Sequence, residues 1–169
     1  NNRAFHGMLT DGVAVEYRAD DGRVVHANLA LVDWDNPAAN DWLVVNQFTV
    51  VEGKQQRRPD VVLFINGLPL VVVEMKNPGD EKADLRKAYN QFQTYKGEIP
   101  SLFAFNELLI ISDGLSAAAG TLTAGWSRFM PWRTIEGKVV APAELPQLEV
   151  LVQGMLDPAR LLDLIRNFV

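Results

Sequence analysis

The chain contains no cysteine. Disulfides and thiolate metal sites are therefore excluded, and the composition agrees with a reducing, cytoplasmic setting. Histidine is nearly absent as well. His6 and His26 stand alone, with no ligand-spaced partner, so both are expected to serve structure rather than catalysis. No apolar run approaches the length of a membrane span and no secretory signal is evident, so no membrane partner is expected. There is no internal repeat, no low-complexity tract and no glycine-rich phosphate loop. At 169 residues, the chain is long enough for one domain with a substantial core.

The most informative stretch is Arg58-Pro59-Asp60, followed by the apolar runs Val61–Ile65 and Leu68–Val73, and then Glu74-Met75-Lys76. Charged groups rarely sit at the ends of buried strands unless they are paired or functional. Glu74 and Lys76 are two apart, so on a strand they share a face. Two carboxylates can hold a hard divalent cation, and a neighbouring lysine can position water or balance phosphate charge. That combination suggests a metal-dependent nuclease, whereas unrelated strand-end charges and a surface lysine would explain the spacing equally well.

Register decides whether the two carboxylates can meet. Asn66-Gly67 is a strong turn signal. A two-residue turn there pairs Ile65 with Leu68 and, by the same count, Asp60 with Val73. Asp60 would then face away from Glu74. A shared metal requires an odd loop such as 66–68, or a bulge that shifts the register by one. Pro69, which lacks an amide proton, would accommodate such an irregularity.

The net charge is −5, but its distribution is uneven. Between Lys54 and Lys96 there are eight basic and five acidic residues, while the rest of the chain has eight basic and sixteen acidic. The basic excess coincides with the candidate site, although Lys82, Arg86 and Lys87 would equally form a solvated helix face. With so few phosphate contacts on offer, the fragment alone is expected to bind DNA weakly.

Strands are expected over Val13–Arg18, Val24–Trp34 and Leu43–Val51, with a turn at Asp20-Asp21-Gly22, a loop over 37–40 and a polar segment over 52–58. After the hairpin, Asn77-Pro78-Gly79-Asp80 should end the strand and cap a helix from about Glu81 to Lys96. Leu85, Ala88, Phe92 and Tyr95 would form its apolar stripe. A strand is expected over Leu102–Ser112, and helices over Glu144–Met155 and Pro158–Phe168, with Asp157 as N-cap. Residues 117–133 give no clear pattern. Trp34, Trp42, Trp126 and Trp132 read as core or interface anchors. The order suits an α/β fold with a mixed sheet.

An ordered series of segments resembles the N-terminal nuclease domain of the motor (R) subunit of type I restriction enzymes, in the PD-(D/E)xK nuclease superfamily. The series comprises Asp33-Trp34-Asp35-Asn36-Pro37, Asn40 to Phe48, Arg58 to Phe64, Asn66 to Leu70, Glu74 to Pro78, Ile111 to Gly114, and Phe129 to Trp132. The resemblance implies a restriction-endonuclease-like core, a mixed sheet flanked by helices, over residues 1–143. Residues 144–169 would form helices leading towards a motor domain. It also implies cleavage of double-stranded DNA with Mg²⁺ held by Asp60, Glu74 and the Met75 carbonyl, assisted by Lys76.

A Gln-x-x-x-Tyr element of the family falls on Gln91 and Tyr95, which are four apart and on one helical face. Gln91 would contact DNA or brace Lys76, and Tyr95 would contact a phosphate. Their structural alternative is the edge of the apolar stripe. The implied partners are double-stranded DNA, the motor domain of the same polypeptide, with its ATP, and methyltransferase and specificity subunits. Open alternatives are a different PD-(D/E)xK repair nuclease or a non-catalytic docking domain. A third acidic ligand cannot be placed, which leaves a one-metal and a two-metal mechanism both open.

Overall fold

The structure, a computed structural model, describes residues 2–77 and 84–169. A helix opens the chain, α1 (Asn2–Asp11), followed by the hairpin β1 (Val13–Arg18) and β2 (Val24–Leu29). Then come β3 (Trp42–Asn46), the small hairpin β4 (Val50–Glu52) and β5 (Gln55–Arg57), and the long hairpin β6 (Val61–Ile65) and β7 (Leu68–Met75). Helices α2 (Leu85–Glu98) and α3 (Pro100–Phe103) lead to β8 (Leu108–Ser112) and β9 (Ala117–Thr121). Helices α4 (Gln147–Gly154) and α5 (Pro158–Phe168) close the chain.

Five strands form the main sheet, in the order β3-β6-β7-β8-β9. Only β7 and β8 run parallel, joined by the crossover through α2 and α3; every other pair is antiparallel. This is the mixed sheet flanked by helices expected from the sequence. Every residue of β8 is buried, as a central strand covered on both faces should be.

Two cores lie on opposite faces of the sheet. On one, Leu63, Val71, Val73 and Ile110 meet Phe5 and Leu9 of α1 and Leu151, Leu161 and Ile165 of α4 and α5. On the other, Val62, Val72, Leu109 and Ile111 meet Ala88, Phe92 and Tyr95 of α2 and Leu102 and Phe103 of α3. Alternation along β7 therefore carries the even positions 72 and 74 to the α2 face.

Several expected elements differ in extent. The sequence reading assigns no element before Val13, where the structure has an amphipathic helix that buries Phe5 and Leu9. The strand from Val24 stops at Leu29, and the following chain turns through a side-chain network. In that network Asn40 accepts from the Asp33 amide and donates to the Asp33 and Pro37 carbonyls. The strand expected over Leu43–Val51 breaks at Gln47, whose φ is +54°. The polar segment after it is β5 with its turn. The run Leu102–Ser112 divides into the end of α3 and the strand β8. The expected start of α2 at Glu81, and Lys82 with it, lies outside the described residues. The helix runs from Leu85 to Glu98, with Asp84 as N-cap accepting from the Arg86 amide. Helix α4 begins at Gln147 rather than Glu144. Helix α5 matches its expected span, and Asp157 caps it by accepting from the Arg160 amide.

Trp34, Trp42 and Trp132 pack against the first core, and Trp126 stacks edge-on against Tyr89. His6 pairs with Glu107 and His26 lies beside Glu16, both structural contacts.

Candidate active site

The hairpin that carries the charged residues has the irregularity that a shared site requires. The Asn66-Gly67 turn pairs Ile65 with Leu68 and Phe64 with Pro69. The register then shifts, so that Leu63 faces Val71, Val62 faces Val72 and Val61 faces Val73. Leu70 is the extra residue. Leu70 and Val71, adjacent in sequence, both bury into the α4–α5 face, which regular alternation forbids and a bulge permits. Continued by one step, the shifted register sets Asp60 opposite Glu74.

A hydrogen bond across the hairpin agrees with this placement: the Met75 amide donates to Asp60 Oδ2 at 2.7 Å. Asp60 Oδ1 accepts from Gln47 Nε2 at 3.2 Å, and the Asp60 carbonyl accepts from the Gln47 amide at 2.8 Å. The Lys76 amide donates instead to the Ser112 carbonyl of β8. Amide and carbonyl of one strand residue point to the same edge. In extended geometry the Met75 carbonyl shares the strand edge of its amide, the edge on which Asp60 lies.

Glu74 is 4% exposed. Its Oε1 accepts from Lys76 Nζ at 2.7 Å. Burial pushes the Glu74 carboxyl above the usual carboxylate range; the Lys76 ammonium opposes that rise and the charge on Asp60 reinforces it. The Tyr95 hydroxyl is near enough to add a small opposing effect. Among the described residues, no donor reaches Glu74 Oε2 with hydrogen-bond geometry, and that atom is buried.

Tyr95 is buried on the sheet side of α2, where burial and the nearby Glu74 and Asp60 charges drive its hydroxyl well above the ordinary tyrosine range. Gln91 lies one turn earlier on the same helix, half-buried. The C-terminal end of α2 is fastened to β5 by Arg57, which forks onto both carboxylate oxygens of Glu98. Two supports were thus not singled out from sequence: Gln47, behind Asp60, and the Arg57–Glu98 clamp. Gln47 lies within a matched segment, but its contact depends on the backbone break that no local pattern reveals.

The donor set fits a hard divalent cation. Two carboxylates and a carbonyl supply oxygen only, and Mg²⁺ keeps several waters beyond such a partial set. The orphaned, buried Glu74 Oε2 is the feature that a cation would satisfy. Among the described residues, no group of three or more acidic or histidine side chains converges as a metal cage.

Residues 1–128 match the family model for the type I restriction enzyme R protein N terminus. The type I restriction enzyme HindI endonuclease subunit of Haemophilus influenzae is 44% identical over 172 residues, covering 99% of this chain and 16% of the relative. The type I restriction enzyme EcoprrI endonuclease subunit of Escherichia coli is 36% identical over 110 residues, covering 63% of this chain and 33% of the relative. The chain thus spans a third or less of the length of these curated relatives.

Proposed function

We propose, on the premise that this chain belongs to the family of type I restriction enzyme R protein N termini, that it cleaves double-stranded DNA with Mg²⁺ as the nuclease part of such a subunit. The observation that carries this reading is the bulge-shifted hairpin, which sets Asp60 opposite the buried Glu74 and leaves Lys76 beside it.

Asp60, Glu74 and the Met75 carbonyl would hold the ion. When bound, Mg²⁺ supplies positive charge against the negative charge that develops during phosphodiester hydrolysis. Lys76, already held against Glu74, would orient the attacking water and stabilise the crowded phosphorus centre. The attacking water passes a proton to bulk solvent as its oxygen bonds to phosphorus, and the bond to the 3′-oxygen breaks, that oxygen taking a proton from solvent to leave a 3′-hydroxyl and a 5′-phosphate. Gln91, on the adjoining helix face, would approach the DNA backbone, and Tyr95, buried beside Glu74, would act through that carboxylate.

In this reading the motor domain follows in the same polypeptide and uses ATP to draw DNA towards the site. Methyltransferase and specificity subunits recognise the target, in the cytoplasm. Residues 144–169 lead towards that motor, and residues 1–143 form the nuclease core.

Asp60→Ala, Glu74→Ala and Lys76→Ala in the assembled enzyme should each cut plasmid cleavage on the order of 10²-fold or more. ATP hydrolysis should persist, because the motor lies elsewhere. A non-catalytic docking role would leave cleavage near normal in all three variants and overturn the assignment.

A further inference from the structure

Two non-glycine residues among those described have a left-handed backbone, Gln47 (φ +54°) and Asn66 (φ +50°). Asn66 is accounted for by the Asn-Gly hairpin turn, which demands positive φ. Gln47 lies in no such turn. It ends β3, and for a glutamine this conformation is strained.

At this turn the Gln47 side chain meets the Asp60 carboxylate. The Gln47 amide donates to the Asp60 carbonyl (2.8 Å), one step beyond the β3–β6 ladder, and at the left-handed turn the side-chain Nε2 reaches Asp60 Oδ1 (3.2 Å). The Met75 amide holds the other oxygen, Oδ2, at 2.7 Å. With a donor on each oxygen the carboxylate plane is fixed, and each oxygen keeps a further lone-pair site for a cation. A glycine at 47 would adopt the same backbone without strain but would leave Oδ1 unheld.

The geometry points to Gln47 as a positioning residue for the metal site, acting through Asp60. This rests on the reading of Asp60 and Glu74 as metal ligands. Hydrogen bonds behind a ligand fix its orientation and raise its affinity, and losing one weakens metal binding about 10–100-fold.

The test uses Mn²⁺, which favours the same oxygen donors. The full chain and its Gln47→Gly, Gln47→Asn and Asp60→Asn variants are titrated calorimetrically with Mn²⁺ and melted without metal. Glycine and asparagine both tolerate the left-handed backbone, but glycine lacks the amide and asparagine falls one methylene short of Asp60. Both should bind Mn²⁺ about 10–100-fold more weakly with Tm unchanged or raised, and Asp60→Asn should lose binding. Wild-type Mn²⁺ affinity in both Gln47 variants, with Asp60→Asn deficient, would overturn the positioning role and leave the metal site standing. A lowered Tm in both Gln47 variants would make the residue merely structural and overturn it too. Equal Mn²⁺ binding by all four proteins, or binding by none, would remove the metal site itself, and the inference with it.

Discussion

Asp60 stands across the β6–β7 hairpin from Glu74 because Leu70 occupies a bulge between them and the turn. Without that residue the Asn66-Gly67 turn would set Asp60 against Val73, and the two carboxylates would face opposite sides of the sheet. The bulge is itself held in place. The Leu70 carbonyl accepts from the Glu107 amide at 2.9 Å and from Asn106 Nδ2 at 3.0 Å.

Asn106 is fully buried and also donates to the Leu108 carbonyl. Asn106→Ala would leave buried acceptors without that donor, at a cost of about 1–3 kcal/mol. At this chain length that corresponds to a fall in Tm of roughly 2–12 °C. Thermal unfolding followed by circular dichroism checks it, and an unchanged Tm would show that Asn106 does not support the bulge.

The site was legible where its signal was local. Glu74 and Lys76 share a face through simple alternation. The need for a register shift followed from counting residues around Asn66-Gly67, and the cap and first turn of α5 were written in Asp157-Pro158. Other elements depend on partners distant in sequence. Strand β9 is Ala-Ala-Ala-Gly-Thr, poor in strand-forming residues, and owes its conformation to pairing with β8 and to Phe129, which packs where a Cβ at Gly120 would lie. The apolar run Leu102–Ser112 reads continuously as a strand, because periodicity cannot separate a short buried helix from a buried strand. The break at Gln47 accompanies a contact with Asp60, thirteen residues away, which no local pattern announces.

Tyr95 combines a core position with a hydroxyl beside Glu74, and two substitutions separate these roles. Tyr95→Phe keeps the ring packed against Phe92 and should leave Tm within about 1 kcal/mol of stability, while lowering DNA cleavage by about 10-fold or more. Tyr95→Ala should also destabilise the chain, by about 3–5 kcal/mol. Equal cleavage by Tyr95→Phe and wild type would confine Tyr95 to the core.

Glu107, at the far end of β8, is fully buried and accepts from His6 Nδ1 at 3.1 Å. Burial raises its carboxyl above the ordinary 4.5, with the nearby His6 opposing. The folded chain therefore holds this proton more tightly than the unfolded chain. Ionised Glu107 costs stability above its raised pKa, and the cost disappears as pH falls through that value towards 4.5. Glu107→Gln keeps an acceptor for His6 without the buried charge. Its Tm should exceed that of the wild type at pH 7, and the gap should close as the pH approaches 4. A gap that is absent at pH 7, or that widens in acid, would contradict this account.

In the proposed function Asp60 and Glu74 share one cation. Crystals of the chain soaked in Mn²⁺ and measured at the manganese absorption edge test it most directly. One anomalous peak is expected, at bonding distance from an Asp60 oxygen and from Glu74 Oε2. No peak at saturating Mn²⁺, or a peak that touches neither carboxylate, would contradict it.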